Sequence, residues 1–155
     1  VTEFKDSGER TTFQTGAQRD RQRGKGKPSL FPNWVMWLVS CIYEDGAVKY
    51  AARNWEHGMP LSNYLDSAER HLAKLKAGLR DEPHASQVIW NMVGYVFTSW
   101  LSRIGTRPAQ LSDMWDQIKD APAEPLAEYE YTRLRDFFGI SQEQFDNVGN
   151  TGTQK

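Results

Sequence analysis

Apolar residues recur at spacings of three and four along most of this chain, which predicts helices. Trp34, Trp37, Leu38 and Cys41 share one face of a first helix that Pro32 opens. Continuing that face reaches Glu44, Asp45 and Val48, so an apolar stripe runs on into carboxylates. Gly46 inside this segment costs about 1 kcal/mol relative to Ala. A second helix carries Leu61, Tyr64, Leu65, Ala68, His71, Leu72 and Leu75, with Ser62 as its expected N-cap and Gly78 as its close. A third begins around Asp81, with Glu82 and Pro83 in its first turn, where the helix dipole favours acids. Its wide apolar face holds Ile89, Met92, Val93, Val96, Phe97, Trp100 and Ile104. Asp81, His84, Val88, Asn91 and Tyr95 occupy the neighbouring face, expected to line a polar pocket.

Beyond Gly105 the pattern weakens. Pro108 opens an expected short helix with Leu111, Met114, Trp115 and Ile118, and APAEP at 121–125 reads as a linker. A last amphipathic helix runs from Leu126 to Phe138 through Leu126, Tyr129, Arg133, Leu134 and Phe137. There is no internal repeat and no run of alternating strand pattern. The expectation is an all-α fold, a bundle of about four to five helices with disordered termini. Residues 1–12 are polar and expected to be disordered, and 32–140 form the helical domain. From 141 to 155 the chain is an expected polar tail. Residues 13–31 form a loop of Gly16, Gly24 and Gly26 interleaved with Arg19, Arg21, Arg23, Lys25 and Lys27. Such a loop is either a solvated basic segment or a flap whose amides and cations grip phosphate. GKGK lacks the spaced glycine and the following Ser or Thr of a phosphate-binding P-loop.

The net charge of -1 over 155 residues argues against a strongly basic nucleic-acid binder. One cysteine, Cys41, excludes an intrachain disulfide and a cysteine-based zinc cluster. No apolar run approaches the roughly 20 residues of a membrane span. The first residues lack the layout of a secretory signal. A soluble protein of a reducing cytoplasm, making no membrane contact, is expected.

The stretch from Glu44 to Asn91 mixes Glu, Asp, Asn, His and cations among helical patterns. Polar groups on core-forming faces need partners. Such a mixture suits a hard divalent ion with a polyphosphate, Mg²⁺ keeping waters that leave room for substrate oxygens. Glu44 would meet Asp81, Glu82, His84 and Asn91 if the first and third helices pack side by side, and Lys49, Arg53 and Arg70 would neutralise phosphate. The plainer alternative keeps Asp81 and Glu82 as helix-end acids and His71 as a hydrogen-bonded core residue. An adjacent His-Asp pair, the mark of another metal-dependent triphosphohydrolase class, is missing: His57, His71 and His84 precede Gly58, Leu72 and Ala85.

Five segments in order, TGAQRD, GKGK with SLFP, YEDGAVKYAARNWEHG, YLDSAERHL and DEPHASQVIWN, resemble the phage dATP/dGTP diphosphohydrolase family, a relative of the MazG-like all-α nucleotide pyrophosphohydrolases. The resemblance covers roughly residues 13–105. It implies cleavage of a deoxynucleoside triphosphate to the monophosphate and pyrophosphate with Mg²⁺ or Mn²⁺, and a homo-oligomer, a dimer or tetramer. By position, Glu44 and Lys49 match the family's first-helix acid and Lys-Tyr. Asn54 and Trp55 match its Asn-Trp loop, and Arg70 with His71 its Arg-His pair. Asp81, Glu82, His84 and Asn91 match its acidic turn, His and Asn, while Arg19, Asp20, Lys25 and Gly26 match its N-terminal basic element. The implied roles are metal binding and catalysis for Glu44, Asp81, Glu82 and His84. Phosphate contacts fall to Lys25, Lys49, Arg53 and Arg70, sugar or base contacts to Asn54, Trp55 and Asn91, and further substrate contacts to Arg19 and His71. Water is the attacking group, since no Ser or Cys is paired with a base. The chain departs from the MazG acid pattern. Asp66, Glu69 and Glu82 approximate it, but Ala85 stands at the closing acid, Ala47 follows Glu44 by three, and Gln87 replaces a histidine. A non-catalytic binding protein on the same helical fold is the alternative those departures leave.

Overall fold

The computed structural model describes residues 6–113 and 124–150. They fall into two units, residues 1–32 and 33–155, each described here by itself.

The first unit is a small antiparallel hairpin. β1 (Arg10–Thr12) pairs with β2 (Gln18–Asp20), Arg10 opposite Asp20 and Thr12 opposite Gln18. Gly16, at φ +82°, makes the turn, its N–H donating to the Phe13 carbonyl at 2.8 Å. Asp20 is the unit's electrostatic hub. It accepts from Lys25 Nζ at 2.7 Å and from the Ser7 hydroxyl, which together hold its carboxyl well below the usual range. Within the expected disordered N-terminus and basic loop, residues 10–12 and 18–20 thus pair as short strands. Three-residue strands without a hydrophobic side chain carry too little pattern to be read from sequence.

The second unit is helical throughout: α1 (Asn33–Tyr50), α2 (Leu61–Lys76), α3 (His84–Arg103), α4 (Glu128–Phe138) and α5 (Gln142–Asn150). This matches the all-α expectation. Short 3₁₀ turns at Asn54–His57 and Ala109–Leu111 join the elements. Of the expected helix after Pro108, the described residues include only that second turn and Leu111; Met114, Trp115 and Ile118 lie outside them. Among the described residues no helix is long and apolar enough to cross a membrane.

The α2–α3 interface organises the unit. Leu61, Tyr64 and Ala68 of α2 are buried as the period predicted. On α3, Trp100 is buried as expected, but most of the other buried positions are small or polar: His84, Asn91, Gly94, Tyr95, Thr98, Ser99 and Ser102. Ile89, Met92 and Val93, expected in the core, stand 39–42% exposed. Gly94 and Thr98, four residues apart, face the Tyr64 ring, and the missing side chain at Gly94 lets that ring lie against the α3 backbone. A Cβ at Gly94 would sit 2.3 Å from Tyr64 Cε1. The buried hydroxyls are satisfied, Tyr64 with Thr98 at 3.1 Å and Ser99 donating to the Tyr95 carbonyl at 2.7 Å.

The expected first-helix face is also rotated. Val39 and Ile42 are buried, whereas Trp34 and Trp37 are about two-thirds exposed. On α4, Tyr131 and Arg135 turn inward, and Tyr129 and Phe137 outward. The reason is α5, which was expected to be polar tail. Phe145 is buried against Trp100 and Tyr131 at ring distances of 5.9 and 5.4 Å. Arg103 clamps the same corner, 3.8 Å over the Phe145 ring and donating to its carbonyl at 2.9 Å.

The start of α2 is capped from a distance. Helix α2 begins at Leu61 after Pro60, so Ser62 lies inside the first turn instead of at the N-cap. Its backbone N–H donates to Asp113 Oδ1 at 3.0 Å, and its hydroxyl donates to Asp113 Oδ2. Burial works against the Asp113 carboxylate, but these hydrogen bonds outweigh it and lower its pKa. Asp113→Ala is expected to cost about 1–2 kcal/mol, the size of a lost helix cap. Because the folded pKa lies below the unfolded value of about 3.9, this contribution is complete above that pH and lost as pH falls through the folded pKa. Urea denaturation of both proteins at neutral and acidic pH should show the two curves converging in acid.

Candidate functional site

α1, the Asn54–His57 turn, α2 and α3 enclose a cavity of about 780 Å³. That volume lies in the range of small-ligand sites. Its lining is polar and helix-borne. α1 contributes Asp45, Lys49 and Tyr50, and α2 contributes Asn63, Asp66, Ser67, Arg70 and His71. α3 contributes Gln87, Trp90 and Asn91, and the connecting loop supplies Arg53, Asn54 and Trp55.

Seven residues singled out from the sequence as substrate contacts thus meet in one place: Lys49, Arg53, Asn54, Trp55, Arg70, His71 and Asn91. Arg19 and Lys25 belong to the hairpin unit, with Arg19 on β2 and Lys25 paired to Asp20. Glu44 is not in the lining. It is exposed on α1, one position away from Asp45, which does face the cavity. Helical geometry decides this. Each residue turns the chain by about 100°, and with Ile42 buried the cavity takes Asp45 and Lys49 while Glu44 swings clear.

The loop holding Arg53 to Trp55 is fixed by several contacts. Ala51 and Arg53 adopt positive φ, +89° and +62°, a strained choice for side-chain-bearing residues. Arg107 donates twice to the Glu56 carbonyl, at 2.9 and 2.6 Å. The Trp55 ring packs on Tyr43 at 5.1 Å and on Phe97 at 4.7 Å. Trp55 is therefore half-buried wall, presenting a fixed aromatic surface. Arg53 is paired with Glu56 at 2.7 Å, and Lys49 Nζ lies 4.9 Å over the Tyr50 ring, a neighbour that raises its pKa. Among the described residues no ion pair holds Arg70, leaving its guanidinium for a ligand.

At the edge of the cavity, through His71, lies a second group of chemical interest. His71 Nδ1 is 3.0 Å from His84 Nδ1. Glu82 Oε2 lies 3.9 Å from the first and 3.8 Å from the second of these nitrogens. His84 is almost fully buried, and its Nε2 is 2.9 Å from Asp81 Oδ1. That hydrogen bond lowers the pKa of Asp81. Burial lowers the pKa of His71, with Glu82 opposing, so the neutral imidazole is favoured. Lys74 sits beside both acids, 3.2 Å from Glu82 and 3.6 Å from Asp81, and its pKa is raised chiefly by the Glu82 hydrogen bond. His71, Glu82 and His84 form a group able to hold a divalent cation. Asp81, Glu82 and His84 thus come together as expected, with His71 in Glu44's place.

Sequence reasoning missed Asp45, Asn63, Ser67 and Gln87 as lining. A signal existed: Asn63, Ser67 and Arg70 recur at four and three on α2, and Gln87 and Asn91 at four on α3. These polar stripes flank the apolar ones and mark the side of each helix that faces the cavity.

A protein-family model described as dATP/dGTP diphosphohydrolase, N-terminal, matches residues 15–102. The match ends just before the close of α3, so it spans every element that lines the cavity. No curated protein and no solved structure matches the chain.

Proposed function

Because the chain belongs to the dATP/dGTP diphosphohydrolase N-terminal family, we propose that it hydrolyses dATP and dGTP to the monophosphate and pyrophosphate. The observation that carries this reading is the convergence of Lys49, Arg53 and Arg70 on one cavity bordered by an imidazole–carboxylate cluster. Three cations suit a triphosphate, and Arg70 offers the bidentate fork that phosphate oxygens prefer. Asn54 and Asn91 supply amide groups for sugar or base, and Trp55 supplies an apolar wall. The Asn91 amide donates to the Gln87 carbonyl at 2.8 Å, which leaves its carbonyl oxygen to accept from the ligand.

The residues present fit a divalent metal: His71, Glu82 and His84 would hold it, and an ion such as Mn²⁺ or Mg²⁺ there would neutralise phosphate charge and supply an acidified water. Attack by a water oxygen on the α-phosphorus breaks the bond to the α,β-bridging oxygen, and pyrophosphate leaves. Lys49 and Arg70 hold the departing charge, and Asp45 is placed to accept the proton of the attacking water. Asp45→Asn is expected to lower kcat by about 100-fold, while Glu44→Gln stays within about twofold because its carboxylate lies outside the cavity. Steady-state kinetics on the two variants, with helical circular dichroism as a folding control, decide between them. The opposite ranking would return the role to Glu44.

The reaction itself is tested by incubating the protein with each deoxynucleoside triphosphate and Mg²⁺ or Mn²⁺ and resolving products. dAMP or dGMP with pyrophosphate is expected. Stepwise loss of single phosphates would overturn the reading. Tight nucleotide binding without turnover would favour a non-catalytic binding protein, to which Ala47 and Ala85, standing where the acid pattern calls for carboxylates, already point.

The same reading carries a homo-oligomer. Trp34, Met36 and Trp37 on α1 and Ile89, Met92 and Val93 on α3 are exposed apolar side chains of the kind that subunit contacts cover. Light scattering after size exclusion should give a dimer or tetramer, and Trp37→Glu should shift it to monomer.

A further inference from the structure

We infer that His71, His84 and Glu82 form a three-ligand site for a transition-metal ion of the Mn²⁺-to-Zn²⁺ series, with Asp81 orienting His84 and Lys74 acting as a resident counter-cation. The inference rests on the hydrolase reading only for the ion's part in turnover; its binding stands on the cluster itself.

The geometry is the first support. His71 Nδ1, His84 Nδ1 and Glu82 Oε2 form a triangle with edges of 3.0, 3.9 and 3.8 Å. The point equidistant from all three lies about 2.1 Å from each, the bond length of zinc to imidazole and carboxylate.

The protonation pattern is the second. His84 Nε2 faces Asp81 Oδ1 at 2.9 Å, and the carboxylate accepts, so the Nε2 proton is fixed. His84 Nδ1 then carries a lone pair toward His71 and Glu82. A carboxylate behind an imidazole in this manner orients the ring and raises its basicity toward metal. Asp81 is thereby a positioning residue and not a ligand. Without metal, the His71 Nδ1 proton is donated to His84. With metal, His71 shifts that proton to Nε2, and both Nδ1 lone pairs meet the ion.

The donor set decides the class of ion. Mg²⁺ favours oxygen ligands, whereas two imidazoles with one carboxylate suit zinc, cobalt or manganese. Three protein ligands leave further positions for water or a phosphate oxygen, the mark of a catalytic and not a structural site. His71 also lines the nucleotide cavity and so links the cluster to it.

Lys74 already supplies the cluster with a cation. Its ammonium lies 3.2 Å from the same Glu82 oxygen that faces the histidines. An incoming dication competes with that ammonium for Glu82, so removing Lys74 strengthens metal binding.

The test is metal binding to the full chain without nucleotide. After chelation and dialysis, Zn²⁺, Co²⁺, Mn²⁺ and Mg²⁺ are titrated separately by calorimetry, and bound metal is counted by mass spectrometry. One equivalent of Zn²⁺ or Co²⁺ is expected, bound at least about 100-fold more tightly than Mg²⁺. Glu82→Gln, an exposed position that leaves the fold intact, and His71→Ala should each weaken Zn²⁺ by more than about 10-fold, and Asp81→Asn by about 10-fold. Lys74→Ala should tighten it by roughly 5-fold. The ¹⁵N chemical shifts of the His71 ring should switch from the Nδ1-protonated to the Nε2-protonated pattern on adding Zn²⁺. Equal affinity for Mg²⁺, undiminished binding in the Glu82 and His71 variants, or no bound metal would each overturn the inference. Metal bound as expected with no hydrolysis of any deoxynucleotide would instead overturn the hydrolase reading and leave this site standing.

Discussion

Gly94→Ala is expected to destabilise the protein by roughly 2 kcal/mol or more. An added Cβ would lie 2.3 Å from Tyr64 Cε1 and 3.0 Å from two further ring atoms. The ring cannot give way. Tyr64 is fully buried, its hydroxyl is tied to Thr98 at 3.1 Å, and Trp90 packs at 6.4 Å. Overpacking of this kind costs about 1–3 kcal/mol and sometimes more. The better helix propensity of alanine returns only about 1 kcal/mol. Since a separation of 2.3 Å is far inside contact distance, the cost lies at or beyond the top of that range. Gly46→Ala is the matched control. It is a mid-helix glycine with nothing within 4 Å of the new methyl, so it should gain about 0.5–1 kcal/mol. Chemical denaturation of the two variants tests the pair. Equal midpoints would mean that α2 and α3 do not approach as closely as the structure places them. Because the cavity is walled by both helices, Gly94→Ala should also weaken nucleotide binding.

Arg70→Ala is expected to lower kcat/KM for dATP and dGTP by about 100-fold, the loss of charge-assisted hydrogen bonds of about 1.5–3 kcal/mol. Of the cavity's cations, Arg53 spends a guanidinium nitrogen on Glu56 and Lys49 lies over the Tyr50 ring. Arg70 alone of the three carries its full fork to a ligand. Arg70→Lys should fall between, keeping charge but losing bidentate geometry. Arg133, which lies over the exposed Tyr129 ring on α4, supplies the control, and Arg133→Ala should stay within about twofold. Wild-type rates for Arg70→Ala would remove the cavity as the triphosphate site. Raising the ionic strength should reduce the effect only modestly, because a contact made inside a cavity is weakly screened.

The helices were legible because their apolar period was long and repeated. α2 reads correctly to the side chain at Leu61, Tyr64 and Ala68. The faces of α1 and α3 did not, and the two cases share a cause. A face rich in Ile, Met and Val looks like core, but Tyr64 needs a close approach, which Gly94 beside Thr98 provides. That approach set the rotation of α3, and Ile89, Met92 and Val93 were left exposed while Trp100 stayed buried. The same rotation on α1 moved Glu44 out of the cavity and brought Asp45 in. α5 was illegible because its burial depends on a single side chain, Phe145, meeting Trp100 from another helix.

By itself the sequence determined the helical class, the span of the family match and the residues with chemical capacity, since helical period and residue type are local properties. Lys49, Arg53, Asn54, Trp55, Arg70, His71 and Asn91 were all identifiable without coordinates, and they line one cavity. Only the tertiary structure decided which carboxylate faces them and what the histidines do. His71 and His84 are 13 residues apart on different helices, yet their Nδ1 atoms lie 3.0 Å from each other with Glu82 beside them. A turn of about 100° per residue separates Glu44 from Asp45, and only the packing of α1 against its neighbours fixes which of the two points inward.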